Sequence, residues 1–159
     1  MSLRDDIQTE LTAAMRSGDE LRRDTLRMVT SAAQYAEKNQ RRPLTDDEFL
    51  AVLAREVKTR RESVEAFRAG AREDLATKEE AEIGILQEFL PAALSEDELQ
   101  ALVDEAVRAT GATSVRDLGK VMGYVVPKTR GRADGKRVSE LAAQALAAAD
   151  LTGHTEKAH

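Results

Sequence analysis

A run of basic residues, RDLGKVMGYVVPKTRGRADGKR at 116–137, is the part of this chain best suited to bind an anion. It holds seven basic residues against two acidic ones, while the whole chain has a formal net charge of −5. A positive segment in an acidic protein predicts a contact surface for a polyanion such as a nucleic acid. The cations expected to make that contact are Lys120, Lys128, Arg130, Arg132, Lys136 and Arg137.

Within this run, Arg130 and Arg132 flank Gly131 in a predicted loop that leads into the start of a helix. Unpaired N–H groups at a helix start attract anions and disfavour cations. Lys136 and Arg137 nevertheless fall in the first turn of this helix. An anion held between the loop arginines and the helix start would neutralise these charges, and the glycine would let the backbone come close to it.

The same segment also allows a plainer interpretation. As the N-cap of this helix, Asp134 would already supply a negative partner, and the charged side chains would then point into water. The spacing alone leaves the anion site and the solvated loop both open. Because the segment has one aromatic residue, Tyr124, an RNA ligand would be held by phosphate and sugar contacts to a folded or double-stranded shape.

Two glycines, Gly119 and Gly123, are spaced i, i+4 on the helix that precedes the loop. We interpret this spacing as a close helix–helix contact, with a backbone surface pressed against a ligand as the alternative. Each glycine costs up to about 1 kcal/mol of helix propensity, so a gain in packing or binding should offset it.

Other charged groups predict an ordinary surface. The cations at 55, 58, 60 and 61 alternate with acids at helical spacing, which is typical of a solvated face with i, i+4 pairs. The acids at 46–48 and at 79, 80 and 82 are expected on solvated helix faces, not as metal ligands. The chain has no cysteine, and its two histidines, His154 and His159, lie near its end. The sequence thus predicts no catalytic residues, no metal site and no cofactor.

Apolar residues at helical spacing and frequent capping residues predict an all-α protein. Four helices are expected in a domain over 1–92 and three in a compact domain over 93–150, followed by a flexible tail over 151–159. Thr45 and Glu48 form the clearest capping box, Gly70 is expected in the left-handed conformation after the third helix, and Pro127 is expected to end the sixth. Without an apolar run of about 20 residues or a signal peptide, the chain is expected in the cytoplasm and away from membranes.

The basic segment resembles the GatB/YqeY family. GKVMG at 119–123, PK at 127–128 and GRADGK at 131–136 are similar to the GKVMG…PK…G-[KR]-A-D-G pattern of the small C-terminal helical domain of that family. Pieces of the N-terminal half are similar to its stand-alone members. These pieces are the opening MSL, RMV at 27–29, EVK at 56–58, Arg60, REDL at 72–75 and FLP at 89–91 before Leu94 and Ser95.

The resemblance implies an all-helical protein of two lobes, related to the tail of the B subunit of glutamine-dependent tRNA amidotransferase. That tail grips the elbow of tRNA, so the resemblance implies tRNA as a partner, and possible work beside a tRNA-modifying or amidotransferase enzyme. The family label is carbon–nitrogen ligase activity with glutamine as amido-N-donor, for which the chain shows no catalytic constellation. The matching motif residues are Gly119, Lys120, Gly123, Pro127, Lys128, Gly131, Arg132, Ala133, Asp134 and Gly135.

Together these observations predict a non-catalytic tRNA-binding module of the GatB/YqeY type. One alternative is an enzyme of amide transfer, as the family label implies. The other is a helical protein–protein adaptor that binds no RNA, in which the long N-terminal helices would offer a groove or a helix face to a partner.

Overall fold

The computed structural model describes residues 2–157, with side chains as far as residue 152. Every regular element in that range is a helix, which confirms the all-α prediction. None of the helices described combines the length and the apolar character of a membrane span. The helices are α1 (Leu3–Ser17), α2 (Glu20–Gln40), α3 (Asp46–Ala69), α4 (Glu73–Gln87), α5 (Glu96–Thr110), a short 3₁₀ helix (Val115–Asp117), α6 (Leu118–Thr129) and α7 (Gly135–Lys157).

The chain divides into two compact units, an N-terminal unit (Met1–Pro91) and a C-terminal unit (Ala92–His159). The first contains α1 to α4 and the second α5 to α7, beside the predicted boundary at 92/93. Each unit has an aliphatic core of its own. The fully buried side chains include Leu26, Val29, Leu53 and Leu86 in the first core and Val103, Val121, Val125 and Leu146 in the second.

The last helix is longer than the sequence indicated. α7 continues to Lys157, so residues 151–157 are helical where a flexible tail was predicted, and residues 158 and 159 lie outside the described residues. Alanine has the highest helix propensity, and six of the eight residues over 142–149 are alanine. This stretch carries the helix past the predicted end near residue 150.

Helix starts follow the predicted caps. The Thr45 hydroxyl accepts a hydrogen bond from the Glu48 N–H (3.2 Å), and the Glu48 carboxylate accepts one from the Thr45 N–H (3.0 Å), which confirms the capping box. A hydrogen bond from Arg42 to the same carboxylate is the main cause that lowers the pKa of Glu48 to about 2. At the start of α5, the Ser95 hydroxyl accepts from the Glu98 N–H (3.1 Å).

The end of α3 differs from the prediction by one residue. Gly70 has φ −88°, and Ala71 takes the left-handed conformation with φ 59°. The Arg72 N–H donates to the Phe67 carbonyl (2.8 Å) and the Ala71 N–H to the Arg68 carbonyl (3.1 Å). This pair of bonds is the Schellman motif, so the left-handed position falls on the alanine because α3 runs one residue further than the glycine suggested.

The middle of α3 also differs from the prediction, since Arg60 lies in the core and not on a solvated face. Its side chain is 4% exposed, and Nε donates to Glu82 (2.9 Å) while Nη1 donates to Glu56 (2.7 Å). Glu82 is itself buried, which corrects its predicted place on the surface. The spacing could have indicated this, because Arg60 continues the apolar stripe formed by Val57 and Val64.

We expect Ala71→Gly to raise the free energy of unfolding by about 1 kcal/mol, because glycine adopts the left-handed conformation without the steric penalty of a Cβ. Urea unfolding followed by circular dichroism measures the change. Gly70→Ala is the matched control and should be tolerated, since an added Cβ there meets only carbonyl oxygens at 3.5 and 3.7 Å. A large loss of stability in Gly70→Ala with no gain in Ala71→Gly would contradict this account of the helix end.

We expect Arg60→Met to lower the free energy of unfolding by about 3–5 kcal/mol, because it leaves the buried Glu82 carboxylate without its cation. The double variant Arg60→Met/Glu82→Leu should recover much of that loss, since it removes both charges from the core. Denaturant unfolding of the two variants gives the comparison. Equal stability of the single and double variants would show that the two side chains are not coupled.

Candidate nucleic-acid interface

α6 is held in the C-terminal unit by its apolar face, on which Val121 and Val125 are completely buried. Pro127 lies inside this helix, so its predicted role as the end of the helix is wrong. In the last turn a proline removes one backbone hydrogen bond, the one it would have donated to the Gly123 carbonyl. Buried Thr129 closes the helix by donating its hydroxyl to the Val125 carbonyl (3.2 Å).

The opposite face of α6 carries two glycines, which leave its backbone uncovered at those positions. Gly119, Lys120, Gly123 and Pro127 are all exposed and, at about 100° per residue, fall within an arc of about 100°. We call these four residues the α6 surface. A Cβ added at either glycine would meet no atom within 4 Å beyond the adjoining backbone of α6 itself. The predicted helix–helix contact at the two glycines is therefore wrong, which leaves the exposed-backbone alternative.

Four of the predicted cations remain accessible, and one of them, Lys120, belongs to the α6 surface. The Lys120 side chain is 69% exposed, although its Nζ lies 3.7 Å from Oδ1 of Asp117. The Lys128 ammonium lies 4.0 Å from the centroid of the Tyr124 ring, and this neighbour is the main cause that raises the pKa of Lys128. The other two, Arg130 and Lys136, are exposed, and their side chains form no hydrogen bond or ion pair with any residue that the structure describes.

Arg132, in contrast, binds its own chain. Its Nε donates to the Ala92 carbonyl (3.0 Å), and its backbone carbonyl accepts from the Leu94 N–H (2.8 Å). Its own N–H donates to the Thr129 carbonyl (2.8 Å). Arg132 thus connects the loop after α6 to the segment that leads into α5. A phosphate would have to compete with the Ala92 carbonyl for its guanidinium.

Arg137 is also engaged within the protein. Its Nε and Nη2 donate to the two carboxylate oxygens of Glu96 (2.9 and 3.1 Å), and Nη1 donates to Glu140 (3.3 Å). The hydrogen bond with Glu96 is the main cause that raises the pKa of Arg137, and it lowers the pKa of Glu96 in return. The cation in the first turn of α7 is therefore neutralised by acids of the chain itself, so an anion is no longer needed to explain it.

The remaining motif residues shape the loop. Gly131 has φ 73°, a conformation that favours glycine, and Asp134 accepts the Lys136 N–H (3.1 Å) as predicted for the cap. Ala133 packs against the core, and Gly135 begins α7. No group of three potential metal ligands occurs among the residues described. The arrangement is suited to phosphate contacts around an open helix face.

Sequence reasoning could have placed the two glycines correctly. The apolar residues of this helix at 118, 121, 122 and 125 define its buried side, and a helical wheel puts positions 119 and 123 away from that side. The hydrogen bonds of Arg132 and Arg137 could not be predicted from the local sequence pattern, because their partners lie 40 and 41 residues away in the sequence.

Comparison with known proteins gives three matches. The model of a family described as Yqey-like protein matches residues 4–146. A protein of Pyrenophora tritici-repentis named "Altered inheritance of mitochondria protein 41, mitochondrial" is 32% identical over 138 residues, which cover 84% of this chain and 75% of the relative. An uncharacterised protein of Schizosaccharomyces pombe is 38% identical over 85 residues, which cover 54% of this chain and 69% of that relative.

We expect the pKa of Glu96 to lie below its ordinary value in the folded protein, because the Arg137 guanidinium stabilises the charged carboxylate. Arg137→Gln should move it back up, so that the carboxylate binds its proton at a higher pH. Carboxyl-detected NMR titration of Glu96 measures the midpoint, with Lys136→Gln as the control that leaves it unchanged. An identical Glu96 midpoint in the wild type and in Arg137→Gln would show that the ion pair is not formed in solution.

Proposed function

Because this chain belongs to the YqeY-like protein family, we propose that its C-terminal unit binds folded RNA, with tRNA as the ligand, through the α6 surface. We further propose that the chain catalyses no reaction itself and works beside a tRNA-modifying or amidotransferase enzyme.

The pair of exposed glycines is the observation that carries this proposal. Each glycine in a helix costs roughly 1 kcal/mol relative to alanine, and open space surrounds Gly119 and Gly123 within the chain. Alanine at these two positions would fit the fold and stabilise the helix. A ligand that lies directly against the helix backbone gives the glycines a purpose that the fold does not, since a Cβ would hold it away.

The charge around this surface favours a phosphate backbone as the ligand. Lys120, Lys128, Arg130 and Lys136 are exposed, and none is held by the bidentate type of ion pair that engages Arg137. Four such contacts to duplex-like RNA correspond to a slope of about −3 to −4 in log K against log salt. Affinity should therefore be modest and should depend strongly on salt.

The uncovered backbone at Gly119 and Gly123 favours a folded RNA over a single strand. An A-form helix offers a wide and shallow minor groove with its 2′-hydroxyls, and proteins recognise it mostly by shape and by phosphate contacts. Tyr124, the aromatic residue of α6, is half-buried and already lies against Lys128, so it offers no free ring for stacking.

The motif and the relatives also bear on the partner enzyme and on the location. The kinship with the amidotransferase tail comes from the motif at 119–136, and the carbon–nitrogen ligase activity that the family label names stays a prediction. The expected cytoplasmic location also stays a prediction, and the name of the Pyrenophora relative describes that protein as mitochondrial.

The sharpest test is the double variant Gly119→Ala/Gly123→Ala, because it should raise the stability of the protein and lower its affinity for tRNA. The free energy of unfolding should rise by about 1 kcal/mol per site, since each alanine adds helix propensity in open space. The affinity for tRNA should fall by about tenfold, which corresponds to about 1.4 kcal/mol of lost contact. Thermal unfolding and filter binding of bulk tRNA at low salt measure the two effects. A stabilised protein with unchanged affinity would reject the α6 surface as the binding site.

A second variant, Lys120→Gln/Arg130→Gln/Lys136→Gln, tests whether these cations contact phosphates. Removal of three phosphate contacts should lower the magnitude of the salt slope by about 2 to 3. The matched control replaces three exposed and unpaired cations of α3, at 55, 58 and 61, by glutamine and should leave the slope unchanged. No tRNA binding by the wild type at low salt would reject the proposal and favour the adaptor alternative.

A further inference from the structure

A second positive face lies on α2, in the N-terminal unit. Four polar residues follow one side of the helix at i, i+4, i+7 and i+11, a spacing that keeps them in one line, and Arg41 follows as the left-handed residue just after the helix end. All of them are exposed, and their side chains form no hydrogen bond or ion pair with any residue in the described range. We call this line the α2 stripe, and it consists of Arg27, Ser31, Gln34, Lys38 and Arg41.

The acids nearest to the α2 stripe are already engaged. Asp24, one turn before Arg27, accepts a hydrogen bond from Arg23 (2.9 Å). Glu37 pairs with Arg4 and also accepts the N–H of a loop residue (2.9 Å). The stripe therefore presents a row of cations, of which Arg27 also interacts electrostatically with Asp24, although residues 1–91 hold 19 acidic residues against 15 basic ones. An anionic partner fits this face by charge.

An aromatic ring stands beside the α2 stripe. Tyr35 is 69% exposed and is the most exposed aromatic side chain among the described residues. It follows Gln34 in sequence and lies about one turn from Ser31 and Lys38, so the ring and the cationic line share one side of the helix. A nucleobase stacks on an exposed tyrosine ring while neighbouring cations hold the phosphates on either side.

From these observations we propose that the α2 stripe with Tyr35 is an interaction surface for single-stranded RNA, and that it takes one unpaired base on the ring. The helical part of the stripe, from Arg27 to Lys38, is about 17 Å long at about 1.5 Å per residue. An acidic peptide would satisfy the cations but would leave the ring without a stacking partner. The site does not depend on the α6 surface, which is proposed to bind folded RNA.

The test measures binding of the full chain to a fluorescent oligouridine by anisotropy at low salt. Tyr35→Leu should weaken binding by about fivefold or more, because the stacked base loses its platform. Arg27→Gln/Lys38→Gln should lower the magnitude of the salt slope by about 1.4, the value for two phosphate contacts to a single strand. The matched control Arg55→Gln/Lys58→Gln changes two exposed cations of α3 and should leave both quantities unchanged.

A blunt RNA duplex without unpaired bases gives the second readout. Tyr35→Leu should leave the affinity for this duplex unchanged, since no base is free to stack. Equal losses in the α2 variant and in the α3 control would overturn the proposal, as would unchanged oligouridine binding in Tyr35→Leu. The two tests are separated by their variants, because Gly119→Ala/Gly123→Ala leaves the stripe and the tyrosine unchanged and Tyr35→Leu leaves the α6 surface unchanged.

Discussion

The bidentate ion pair between Arg137 and Glu96 is the clearest case of a basic residue that is used inside the C-terminal unit and is not available to a partner. Together with the Arg132 bonds to Ala92 and Leu94, it fastens the segment before α5 to the loop and helix start after α6. Cations used in this way hold the unit together. The cations outside these bonds, around the exposed face of α6, are the ones that a partner can reach.

This division changes where a ligand is expected. The charge pattern alone left open an anion site between the loop and the start of α7, yet the protein supplies its own carboxylates there through Glu96 and Glu140. The accessible surface is instead a helix face where Gly119 and Gly123 leave the backbone bare. A flat, positive helix face suits a broad phosphate backbone better than a small anion, which needs several donors converging on one point.

Much of the fold was predictable because local signals determine it. Apolar spacing and caps such as Thr45 with Glu48 act over a few residues, and the helices follow them. The departures have physical reasons. The left-handed residue fell on Ala71 and not on the glycine before it, because the hydrogen bonds of the helix end select the position. Buried Arg60 depends on Glu82 of another helix, a pairing that no local pattern encodes.

The most direct test of the α6 surface is an amide NMR titration of the labelled protein with bulk tRNA at low salt. The account predicts that the largest chemical-shift changes occur at the amides of Gly119 and Gly123, with smaller changes at Lys128 and Arg130. It also predicts that signals from the buried face of α6 move little, because the helix stays in place. Shifts that spare both glycines, or a spectrum that tRNA does not change, would contradict the central claim.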